Sequence, residues 1–163
     1  MSKQWMIYGA YGYSGQLIAE EAVLSRRQWG VELYRELDKD GLPRFAYRWL
    51  SLNNQNNWQP AAPSEMDQQF YFSSTLGVVL EVDGIEKTIG PKKPFVAATI
   101  DDNGLVQNNN TLKPDIYLYS SGETSAFRLQ LIDQDEPERN QWISSDVLGR
   151  FNVEQAGAND SSE

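Results

Sequence analysis

Three glycines, Gly9, Gly12 and Gly15, stand at G-x-x-G-x-x-G spacing between a short apolar run, Met6, Ile7 and Tyr8, and a stretch with helical periodicity. A turn of this kind lets backbone N–H groups and a helix N-terminus approach a pyrophosphate. A dinucleotide site also needs an acidic residue about 20 positions further on, at the end of a second parallel strand. Glu32 and Glu36 stand at usable distances. The connection that follows them, residues 38–43, is too short to reach a parallel neighbour, a crossing that takes a dozen or more residues. The glycine segment is therefore a phosphate-binding turn only if the rest of the chain supplies a fold around it.

Other candidate chemistry is sparse. The 163 residues contain no cysteine and no histidine, which removes disulfides, thiolate ligands, the commonest general base and the commonest zinc ligand. Asp101, Asp102, Asn103 and Gly104 carry calcium-type oxygens, but the spaced ligands and terminal glutamate of a calcium loop are missing, so a hairpin turn is the better reading. Asp133, Asp135 and Glu136 read as a solvated acidic loop. Glu20 and Glu21 are helix neighbours that do not face each other, and Glu32 and Glu36 occupy strand positions expected to face solvent. No catalytic, metal-ligating or cofactor-binding residue is assigned on these grounds.

Charge narrows the partners. Fourteen basic and 23 acidic side chains give a net charge of −9. The acidic excess falls after residue 50, so no basic stripe exists to track a phosphate backbone, and nucleic acid is excluded as a partner. No stretch supplies the roughly 20 apolar residues that cross a bilayer, and the chain reads as soluble.

The elements that would position any site follow from periodicity. Leu17, Ile18, Ala22 and Val23 recur at helical spacing, with Ser14 as N-cap and Gly30 as stop, predicting one helix over 15–28. After Gly30 the period becomes two. Val31, Leu33 and Leu37 alternate with Glu32, Tyr34 and Glu36, a turn follows at residues 38–41, and residues 45–49 return as a partner strand. Further strands are expected at 69–72, 78–82, 85–89, 95–100, 116–119, 127–131, 142–144 and 150–153, with turns at Asp83-Gly84 and residues 101–104. Trp29, Trp49 and Trp142 are expected in the core, whereas Trp5 and Trp58 are candidates for exposed contact. Residues 156–163 form an acidic tail expected to be disordered. No helix recurs between strands after residue 30, so the expected fold class is α+β, mainly β: one N-terminal helix on an antiparallel sandwich, in a single domain over 1–155.

Two resemblances attach to these segments. Residues 6–22 resemble the first strand, turn and helix of saccharopine dehydrogenase-like proteins, which implies NAD(P) binding at Gly9, Gly12 and Gly15. Residues 19–155 resemble the globular head of type II secretion minor pseudopilins, the H type in particular. The matching residues are Glu20 to Ser25, Trp29-Gly30-Val31, Tyr117 to Glu123 with Phe127-Arg128-Leu129, and Asp146 with Gly149-Arg150. This second resemblance covers most of the chain. It implies a non-enzymatic, pilin-like module without cofactor, periplasm-facing and inner-membrane-associated in the family. Its partners would be the major and other minor pseudopilins, met by protein–protein contact during protein transport. The family's leader and apolar membrane helix have no counterpart in residues 1–15, where the glycine and tyrosine residues stand instead, so no membrane anchor is expected in this chain.

Overall fold

The computed structural model describes residues 28–62 and 69–156. In chain order the strands are β1 (Trp29–Leu37), β2 (Pro43–Leu52), β3 (Trp58–Pro60), β4 (Gln69–Tyr71), β5 (Leu76–Val82), β6 (Ile85–Lys87), β7 (Thr99–Ile100), β8 (Val106–Gln107), β9 (Ile116–Leu118), β10 (Phe127–Asp133), β11 (Gln141–Ser145) and β12 (Phe151–Gln155). One sheet runs β3-β2-β1-β9, with β4 also on β2. The second runs β12-β11-β10-β5-β6, and β7 and β8 form a separate two-stranded sheet. All strand pairs among the described residues are antiparallel. The helix expected over 15–28 falls outside the described residues except at Gln28, as do Gly9, Gly12, Gly15, Trp5 and the tail from residue 157.

The β1–β2 hairpin forms where the alternation and the turn signal place it. Asp38 Oδ1 accepts the N–H groups of Asp40 and Leu42, each at 2.9 Å, and Gly41 takes the left-handed φ of +77° that closes the turn. Trp29, Val31 and Leu33 of β1 join Tyr47 and Trp49 of β2 on the inner face. Val78, Leu80 and Val82 of β5, Leu129 and Leu131 of β10, and Ile143 of β11 meet them from the second sheet. Burying each such side chain stabilises the sandwich by about 1.5–3 kcal/mol before entropy is counted.

Several expectations need correction. β1 is buried on both faces: Glu32 and Tyr34, placed towards solvent by simple alternation, are 1% and 0% exposed, while Leu37 at the strand end is exposed. Strands over 95–100 and 85–89 shrink to β7 and β6, because residues 94–98 and 88–90 find no ladder partner there. Trp142 is half-buried rather than core, since Ile143 beside it takes the inward position and strand geometry turns Trp142 to the other face. The last strand, expected over 150–153, runs on to Gln155. Residues 120–125 link β9 to β10, strands that belong to different sheets. Gly122, at φ +88°, makes the bend.

Candidate functional site

The outer face of β1–β2 carries an ion pair. Glu32 and Arg48 are opposite one another in the hairpin register, and Arg48 Nε donates to Glu32 Oε2 at 2.5 Å with both side chains buried. The same two residues hold the backbone of Lys93: its N–H donates to Glu32 Oε1 at 3.2 Å, and its carbonyl accepts from Arg48 Nη2 at 2.5 Å. Next to this clamp, the Arg35 N–H donates to the Gly90 carbonyl at 2.8 Å, and Arg35 bridges to Pro91 in parallel fashion. The Lys92 ammonium stands 5.4 Å from the centre of the Tyr34 ring. Burial first, and the Arg48 charge second, push the Lys92 pKa below its ordinary value. A buried pair of this kind contributes little net stability but penalises any arrangement that separates its members. Here it fixes where residues 90–93 leave the sheet.

The excursion that begins at Lys93 is tied down again at its far end. Asn110 Nδ2 donates to the Trp58 carbonyl at 2.6 Å, and the Asn108 side-chain amide bonds to Asn57 Oδ1. Between these anchors the β7–β8 hairpin projects with apolar side chains in solvent: Ile100 is 73% exposed, Leu105 65% and Val106 64%, with Phe95 and Val96 also exposed. Its turn is the Asp101–Gly104 element expected from sequence. Asp101 Oδ1 accepts the N–H groups of Asn103 at 3.0 Å and Leu105 at 2.8 Å, and Gly104 adopts φ +78°. Exposed apolar side chains thus cluster on one short hairpin.

A second surface lies at the other end of β1. Trp58 meets Tyr117 edge-on at 5.6 Å, and Tyr117 stacks on Tyr119 at 6.2 Å. Pro114 covers Gly30 so closely that a β-carbon there would lie 2.3 Å from Pro114 Cβ. Asp115 follows, and its carboxylate accepts the Leu33 N–H at 2.8 Å; burial pushes its pKa up despite that bond and the nearby Lys93 and Lys87. Trp58 is half-buried, so its expected role as a free contact residue is only partly met.

The carboxylates considered as acid–base partners are held apart. Glu32 belongs to Arg48, whereas Glu36 pairs with Arg44 at 2.8 Å. β1 has antiparallel neighbours on both sides, so Glu32 does not end a parallel strand as a ribose-binding residue would. The Asp133 carboxylate caps Asp135 and Glu136. Among the described residues no group of three or more histidine, cysteine, aspartate or glutamate side chains is placed to hold a metal ion. The Arg48–Lys93 clamp and the asparagine anchors went unread in the sequence. The available signal was apolar residues at both parities of β1 and β2, such as Ala46 beside Tyr47 and Leu50 beside Trp49, which announces burial on two faces.

No protein-family model and no curated protein matches the chain. Solved structures do match, among them two of the minor pseudopilin EpsH from the type 2 secretion system of Vibrio cholerae. One is 20% identical, with 89% of this chain and 92% of that chain covered at a TM-score of 0.55. The other is 21% identical, with 91% and 92% covered at the same TM-score. The chain has the fold of a minor pseudopilin head. The antiparallel, mainly β reading thus agrees with the architecture of the described residues, the expected helix lies outside them, and the dinucleotide-binding alternative finds no support. Among the described residues no helix is long and apolar enough to cross a membrane.

Proposed function

We propose that this chain is a non-enzymatic head of the minor pseudopilin type, acting by protein–protein contact in the pseudopilus of a type II secretion apparatus. The observation that carries this reading is the two-sheet antiparallel sandwich, which superposes on EpsH over about nine-tenths of both chains. In such an assembly the head faces the periplasm and meets the major and other minor pseudopilins through its exposed loops and sheet edges. The β7–β8 hairpin and the loop around Ser121 and Glu123, built on polar anchors and exposed to solvent, are the surfaces suited to that work.

The test is binding of the full chain, immobilised, to purified heads of the major and other minor pseudopilins encoded with it. Saturable binding to at least one head supports the proposal. Absence of binding to every head, together with saturable NADPH binding that Gly12→Val abolishes, overturns it in favour of a nucleotide-binding protein.

A further inference from the structure

We infer that the open edge of β7 pairs with the same edge of a second copy of this chain. The β7–β8 sheet has only two strands, so β7 presents the outer backbone groups of Thr99 and Ile100 to solvent, and residues 93–98, which lead into it, are exposed and belong to no ladder. An exposed apolar strand edge held on a fixed base is a template for another strand. The segment is also self-complementary in charge. Lys92 and Lys93 precede an uncharged stretch, residues 94–100, and Asp101 and Asp102 follow it. Antiparallel pairing about a two-fold axis at Ala97 sets Lys93 against Asp101 and Lys92 against Asp102 at both ends. The same register sets Phe95 against Thr99 and Val96 against Ala98. Parallel pairing would stack lysine on lysine. The outer edge of β8 offers no such register, because residues 105–110 carry no charge. Pro94 stands opposite Ile100 in this register and donates no N–H, so one ladder bond is missing at each end and the pairing is short. This inference does not depend on the pseudopilin reading.

The contact is short and each copy carries a net charge of −9, so association is weak and is read at high concentration. The experiment is sedimentation velocity on the full chain up to about 1 mM, the weak end of specific association. Two variants, Asp102→Lys and Lys92→Asp, are run alone and mixed in equal amounts. Asp102 is used because Asp101 also caps its own turn. The wild type is expected to dimerise, each variant alone to bind itself roughly tenfold more weakly or worse, and the mixture to recover the wild-type affinity. A folding defect in either variant cannot be rescued by mixing, so recovery is decisive. A wild-type chain that stays monomeric, a dimer indifferent to both substitutions, or a mixture of folded variants that fails to recover each overturns the inference. Binding to other heads is measured separately, so the two proposals fail independently.

Discussion

Removing the Arg48 side chain tests the central claim about how the contact arm is positioned. Arg48→Met keeps much of the buried aliphatic volume but leaves the Glu32 carboxylate 1% exposed, with the Lys93 N–H at 3.2 Å as its remaining bond. Breaking a buried pair from one side costs about 3–5 kcal/mol, because the surviving charge stays desolvated. A single domain has only about 5–15 kcal/mol of stability in total. With a urea dependence of about 2 kcal/mol per molar for a chain of this size, the midpoint should fall by roughly 1.5–2.5 M. Trp29 and Trp49 lie in the core, so tryptophan fluorescence reports the transition directly. The double variant Glu32→Leu/Arg48→Met removes both charges and should return to within about 1 kcal/mol of wild type. Amide exchange at Lys93 should accelerate in the double variant, where the Glu32 carboxylate that accepts its N–H is gone. An Arg48→Met midpoint within about 0.5 M of wild type would refute the reasoning. It would mean that water or another group satisfies Glu32 and that the arm does not depend on the pair.

Two further outcomes follow from geometry and burial. Gly30→Ala places a β-carbon 2.3 Å from Pro114 Cβ and 2.5 Å from its Cγ, an overpacking expected to cost about 1–3 kcal/mol in urea unfolding; no loss would show that residues 110–115 shift freely. Asp115 has its folded-state pKa raised by burial, so its stabilising contribution is full below the ordinary carboxylate range and is lost as pH rises through the raised value. Asp115→Asn keeps an oxygen for the Leu33 N–H and removes the buried charge. It should therefore melt higher than wild type at pH 7, with the gap closing as pH falls below about 4. A lower melting temperature at pH 7 would show that the charged hydrogen bond to Leu33 outweighs desolvation.

The sheet half of this fold was legible because its signals are local. Phe127, Leu129 and Leu131 alternate with Arg128 and Gln130, and the structure buries the first set. Asp38 to Gly41 and Asp101 to Gly104 each announce a turn through a carboxylate that caps its own loop and a glycine at positive φ. What failed was the step from one strand to its surroundings. Period two states which side chains share a face, but not whether the second face meets water. Glu32 therefore passed for a solvent residue although its partner Arg48 lies 16 positions away and its other partner, Lys93, lies 61 away. The sheet membership of the strands flanking residues 120–125 is hidden for a similar reason. The loop's hydroxyls and glycine specify a bend, yet nothing local states that Leu118 and Phe127 belong to opposite sheets. That is decided by β9 pairing with β1 and β10 with β5, contacts made across more than forty residues of sequence.

The polar side chains of the outer face are spent on holding backbone. A working acid or base must be within hydrogen-bond reach of the proton it moves. Glu32 and Arg48 turn to each other and to the backbone of one residue, and that residue begins an arm of exposed apolar side chains. The asparagines at the other end do the same with uncharged amides, holding Asn108 and Asn110 to the loop around Asn57 and Trp58. Polar groups are thus concentrated at the two roots, where they set register, and apolar groups at the projection, where they gain most by meeting a partner. Burial of a polar pair is costly in itself, and its best-attested return is the specification of one arrangement over others. In this sandwich the arrangement specified is the exit point and direction of a strand edge.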